Sequence, residues 1–158
     1  MILLTRVDFR LLHGQVAASW VQGLGADCIF CVGDHVASDQ VLRTALKLGK
    51  PPHVKLVIKD MAHAIEAINS GVTDRYRMII CVETVRDAKA LLDGCPTITA
   101  LNLGNTRESA TTTEVTHQVY LEPDEVAMIR ELASRGVRVE AQALCADVPV
   151  DVVPLLRR

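Results

Sequence analysis

The chain reads as an α/β protein, a mostly parallel sheet flanked by helices in three layers, and three observations predict it. Short apolar runs alternate with helical patterns along the sequence, the order expected of strand–helix–strand units. Several runs, such as Cys28–Val32 and Met78–Val82, are continuously apolar, as strands buried on both faces are. With 158 residues, 49% hydrophobic and 23% charged, the chain is long enough to bury one core and fits a single domain over residues 1–158.

Taken in order, about seven strands are expected, over residues 2–7, 28–32, 54–58, 78–82, 98–103, 116–121 and 137–143. Between them lie helices with recognisable punctuation. Ser38 is the expected N-cap of a helix whose Val41, Leu42, Ala45 and Leu46 form an apolar stripe, ended by Gly49 and Pro51-Pro52. Asp60 caps a segment with Ala64, Ile65 and Ile68 on one face, closed by Gly71. Thr84 caps the Val85, Ala88, Leu91 and Leu92 stripe, and Asp87 stands three residues on, as in a capping box. Pro123 suits a first helical position, Asp124 and Glu125 complement the dipole, and Gly136 ends the stripe of Met128, Ile129 and Leu132.

Composition excludes several functions. Aromatic residues make up 3% of the chain, too few to stack nucleic-acid bases, and a net charge of -2 does not steer toward polyanions or a membrane surface. No basic start and long apolar stretch mark a signal peptide, and no run approaches a membrane helix; a cytoplasmic protein is expected. Five cysteines, an odd number in mostly apolar segments, read as reduced core thiols. Cys28 and Cys31 form a literal C-x-x-C, but inside a strand the two point to opposite faces and hold no metal. Gly23-Leu24-Gly25 ends a helix rather than opening one, the reverse of a dinucleotide loop. His35, His53, His63 and His117 are scattered and expected at the surface or on a rim, His35 in a loop that could lie near His13. Asp34 and Asp39 are more simply caps and turn residues than acid–base groups.

One stretch carries chemistry: Arg6-Val7-Asp8-Phe9-Arg10-Leu11-Leu12-His13-Gly14-Gln15-Val16. Two guanidinium groups flank one imidazole where a strand gives way to a helix. Backbone N–H groups at a helix start favour anions, Arg grips phosphate oxygens bidentately, and imidazole is a nucleophile near neutral pH. A histidine before glycine is commonly a mere turn residue; the arginines turn the reading toward a phosphate-carrying His13. The loop also follows the first strand, and ligands in such sheets bind beyond the carboxyl ends of strands. The loops at 33–38, 59–60, 83–84 and 104–113 end other strands and are candidates for its rim. Asp8 either orients His13 or Arg10, or satisfies loop N–H groups. Arg6 either supplies charge or, inside the strand end, positions the loop. Trp20 reads as a packing anchor.

The motif Arg-x-Asp-x-Arg-Leu-x-His-Gly-Gln-Val, with Trp20 in the same helix, resembles the phosphorylation loop of the IIB subunits of the mannose/fructose/sorbose class of bacterial sugar phosphotransferase systems. The likeness continues through Asp34-His35-Val36-Ala37-Ser38-Asp39, an Asn102-Leu103-Gly104-Asn105 turn, and Gly136-Val137-Arg138-Val139 followed by Pro149. Phe9 departs from it, because the family position between Asp and Arg is usually small or polar, and Asn105 replaces the second glycine of many mannose-type relatives. The resemblance implies a mostly parallel sheet with an antiparallel strand near the C-terminal end, and a phosphotransferase in which a phosphohistidine on a IIA partner passes its phosphoryl group to His13. His13 then delivers it to a sugar held by membrane IIC and IID subunits, so the chain works at the inner face of the membrane. Arg10 and Arg6 would supply fixed charge, the Gly14 and Gln15 N–H groups would complete an anion nest, and neither cofactor nor metal is implied. The oligomeric state stays open, a homo-oligomer included. A rival reading is a regulatory or anion-binding module that no longer passes phosphate onward.

Overall fold

In a computed structural model of the chain, which describes residues 1–12 and 14–156, all but one of the apolar runs become strands of one central sheet. The strands are β1 (Ile2–Asp8), β2 (Cys28–Val32), β3 (Lys55–Lys59), β4 (Met78–Val82), β5 (Ala100–Asn105), β6 (Thr113–Thr116), β7 (Val119–Leu121), β8 (Arg138–Ala141) and β9 (Val150–Asp151). The helices are α1 (Gly14–Leu24), α2 (Asp34–Ser38), α3 (Gln40–Gly49), α4 (Met61–Ser70), α5 (Val85–Gly94) and α6 (Pro123–Ser134), with a closing 3-10 turn over Val153–Leu155. Seven strands pair in the order β3-β2-β4-β1-β5-β8-β9. All neighbours run parallel except β8 and β9, which makes β9 the antiparallel strand expected near the C-terminal end.

Strands β2 and β4 are buried at every residue, which is why they read as unbroken apolar runs. Alternation divides their side chains between two cores. Ile29, Cys31, Ile79 and Cys81 pack with Ala17 and Trp20 of α1 and Leu46 of α3. Phe30, Ile80 and Val82 pack on the other face with Ala64 of α4, Leu91 of α5 and Ile129 of α6. Cys28 belongs to one core and Cys31 to the other, and all five cysteines are free. This division also positions the site. The chain leaves β1 for a helix on one face, whereas the neighbouring strands β4 and β5 lead to helices on the opposite face, so a crevice opens beyond the carboxyl end of β1.

Three expectations are corrected. The single strand over 116–121 is a hairpin instead: β6 and β7 pair antiparallel in a separate two-stranded sheet. Its turn places Gln118 at φ 74°, a left-handed conformation that Gly or Asn normally signals, and neither is present to betray it. Asp39 rather than Ser38 caps α3: its carboxylate accepts from the Leu42 N–H at 3.0 Å, while the Ser38 hydroxyl bonds back to the Asp34 and His35 carbonyls and closes α2. Asn102–Asn105 is the end of β5 and not a turn. Asp60 and Thr84 cap α4 and α5 as expected, and Glu122 with Glu125 forms a capping box at α6. Among the described residues no helix is long and apolar enough to cross a membrane.

Candidate functional site

Arg6 and Asp8, two apart on β1, point to the same face and are 2% and 5% exposed. Burial alone lowers the Arg6 pKa from its ordinary value, and the carboxylate of Asp8, 3.2 Å away, works against that loss. The guanidinium is fully braced at its tip. Nη1 donates to Asn102 Oδ1 and to the Gln142 carbonyl, both at 2.8 Å, and Nη2 donates to Asp8 and to the Ala143 carbonyl at 3.0 Å. The Trp20 ring lies 5.2 Å from its Cζ, and the indole N–H donates to the same Ala143 carbonyl. Gly104 makes room for this group. Arg6 pairs with Asn102 and Asp8 with Asn105, and the register skips a residue between them. Gly104 is the extra residue of that bulge, and a Cβ there would overlap the guanidinium carbon. These contacts tie the end of β1 to β5 and to the segment that follows β8.

Asp8 fixes the start of the loop. Its second carboxylate oxygen accepts from the Arg10 N–H at 3.0 Å, and its carbonyl accepts from the Leu11 N–H at 2.8 Å. The turn holds Leu11 at φ 61°, a strained conformation for a branched side chain. Burial of Leu11 and Leu12 against the α1 core holds it there. His13 lies outside the described residues. Gly14, at φ 62° and exposed, begins α1, and Gln15 is exposed on its first turn. Arg10 is exposed, with its guanidinium over the Phe9 ring.

Arg10, Asp8, Asn105, His117 and Val148 line one cleft of about 490 Å³ beyond the carboxyl ends of β1, β5 and β8. His117 is thus a rim residue. His53 and His63 lie elsewhere, in a surface turn and beside the Asp60 cap. His35 sits on α2 between Glu83, 2.9 Å from Nδ1, and Asp39, 3.4 Å from Nε2. Among the described residues no cluster of three or more His, Cys, Asp or Glu is placed to hold a metal ion.

The Glu83 hydrogen bond holds the His35 pKa above its ordinary value, with the charges of Asp39 and Asp87 adding to it. A raised folded-state pKa means that this pair stabilises fully below the unfolded-state pKa and ceases to do so as pH rises through the folded one. His35→Ala is therefore expected to lower the melting temperature at acid pH, the gap closing toward alkaline pH. A gap constant across roughly pH 5 to 8 would contradict the pairing.

Residues 2–158 match the family profile of the PTS system sorbose subfamily IIB component. The chain belongs to this family. The IIB chain is 31% identical over 153 residues to the sorbose-specific EIIB component of Lacticaseibacillus casei, covering 97% of this chain and 93% of that one. It is 28% identical over its whole length to the mannose-specific EIIAB component of Escherichia coli, of which it spans 49%. The crystal structure of the IIBSor domain of the sorbose permease from Klebsiella pneumoniae superposes with a TM-score of 0.91 at 26% identity, covering 98% and 95% of the two chains. The fold and membership in a family of sugar phosphotransfer components agree with the resemblance read from the motif.

Some of the IIB chain's site was not visible in sequence. Gln142 and Ala143 serve through backbone carbonyls, for which no residue type is a signal. Arg107 follows β5 in a loop expected on the rim, and only the fold brings it to Phe9.

Proposed function

We propose that this IIB chain carries a phosphoryl group on His13 between a IIA phosphohistidine and a sugar held by membrane IIC and IID subunits, working at the cytoplasmic face of the membrane. The observation that carries this reading is Arg10: it is exposed at the mouth of the cleft, in the loop running into α1, and forms no ion pair among the described residues. Phosphoryl transfer asks the protein for an in-line nucleophile and fixed positive charge, with little other covalent work. The donor's P–N bond breaks as a P–N bond to His13 forms, and the electron pair returns to the donor imidazole. In the second step the sugar hydroxyl oxygen bonds phosphorus as the P–N bond to His13 breaks, the electron pair returning to the His13 imidazole and the hydroxyl proton leaving to solvent. Gly14 and Gln15 offer N–H groups at the start of α1 to the phosphoryl oxygens. Arg6 and Asp8 act at one remove, by holding the loop.

Arg10→Lys keeps the charge and loses the fork. It is expected to slow transfer by roughly a hundred- to a thousand-fold, equivalent to about 2.7–4 kcal/mol, with little change in stability because the side chain is exposed. A single-turnover rate within about twofold of wild type would remove Arg10 from the mechanism. The function is tested by incubation with phosphorylated general phosphotransferase proteins and a IIA domain, followed by membrane subunits and sugars. Loading followed by discharge to a sugar supports the carrier; loading without discharge would instead make the chain a regulatory or anion-binding module.

A further inference from the structure

Phe9 departs from the family pattern, and the fold gives its ring two cations to hold. Cζ of Arg10 lies 5.0 Å and Cζ of Arg107 4.6 Å from the ring centroid, inside the ~6 Å over which an aromatic face attracts a cation. The two charges therefore lie within about 10 Å of each other, one screening length at 0.1 M salt. The platform is fixed by its backbone, since Phe9 N–H donates to the Asn105 carbonyl at 3.0 Å.

The way these arginines are held distinguishes them. Arg6 is neutralised by Asp8, Arg86 by Asp124, Arg135 by Asp93 and Arg138 by Glu140. Arg43, Arg75, Arg77 and Arg130 have no carboxylate partner but donate to carbonyl or hydroxyl oxygens; among the described residues the Arg10 and Arg107 guanidinium groups have neither an ion pair nor a hydrogen bond. Glu83, Glu122 and Glu125 share a cleft with Phe9 and Arg107, but Glu83 is engaged by His35, Glu122 accepts from the Ser109 and Thr111 hydroxyls, and Glu125 accepts from the Glu122 N–H. An aromatic face fixes a guanidinium without cancelling its charge or using its in-plane N–H donors. Arg107 is exposed, so those donors are open to a partner.

We propose that Phe9 and Arg107 form a docking element for the phosphoryl donor, Arg107 binding an anionic side chain on the donor face around its phosphohistidine. This rests on the reading that a IIA domain loads the chain. The donor is favoured over the membrane acceptor by charge. Before loading, the unpaired Arg10 and Arg107 guanidinium groups attract a partner bearing phosphate; once His13 carries the phosphoryl group, its negative charge offsets theirs and weakens the hold on the spent donor.

The test is the initial rate of loading from phosphorylated IIA domain at varied donor concentration and salt. Arg107→Glu is expected to raise the KM for the donor about tenfold at low salt, with the gap shrinking as salt rises and the rate at saturating donor falling much less. Phe9→Leu, which keeps an apolar side chain but removes the ring face, should raise KM in the same direction with a smaller salt effect. A KM for Arg107→Glu within twofold of wild type at low salt would overturn the proposal, as would a defect confined to discharge into membrane subunits. A wild-type chain that takes no phosphate from the donor would refute the carrier reading itself.

Discussion

His13→Ala is expected to take up no acid-labile phosphate from a phosphorylated IIA domain while keeping the wild-type melting temperature. The loss is complete because a covalent carrier has no substitute for its nucleophile. Stability is unaffected because the loop is anchored by other groups: Leu11 and Leu12 are buried in the α1 core, and Asp8 accepts from the Arg10 N–H. Label persisting in this variant would move the carrier to another histidine, such as His117, which lines the cleft with Asp8 and Arg10. Unfolding of the variant would make His13 a structural residue.

Gly104→Ala should cost about 3–5 kcal/mol of stability, the range for breaking a buried ion pair by displacing one partner. The added methyl group would occupy the space of the Arg6 guanidinium. Moving that group away would strip the 5%-exposed Asp8 carboxylate of its cation. It would also strip Asn102, Gln142 and Ala143 of a shared donor. Since a domain is stable by only about 5–15 kcal/mol, the variant is expected to unfold at much lower denaturant, and its loading rate to fall at temperatures where it is still folded, because the loop loses its brace. A midpoint unchanged from wild type would show that Arg6 has another place to go.

Periodicity revealed strands whose burial is uniform. The bounds of β2 and β4 are those of their apolar runs, because both faces of each are covered. It failed where a conformation was imposed by packing rather than by residue type. Gln118 turns the β6–β7 hairpin without a glycine, and the Thr106 hydroxyl, which donates to the Tyr120 carbonyl and accepts from its N–H, holds that hairpin against the end of β5. β9 is a two-residue strand, too short for any pattern. Within the motif, the two arginines were legible, but not how differently the fold places them. Two arginines four apart look alike in sequence. One lies inside the sheet with its tip donors satisfied by protein, and the other lies outside on an aromatic ring.

The measurement that bears most directly on the carrier role is phosphorus–proton correlation NMR of the freshly phosphorylated protein. One phosphohistidine is expected, absent from His13→Ala and substituted at Nδ1. In any histidine that nitrogen is the one nearer the main chain, as the proposed cradle of Gly14 and Gln15 N–H groups at the start of α1 requires. A clean Nε2 adduct would contradict the helix-start cradle, and an adduct on any other histidine would contradict the account at its centre.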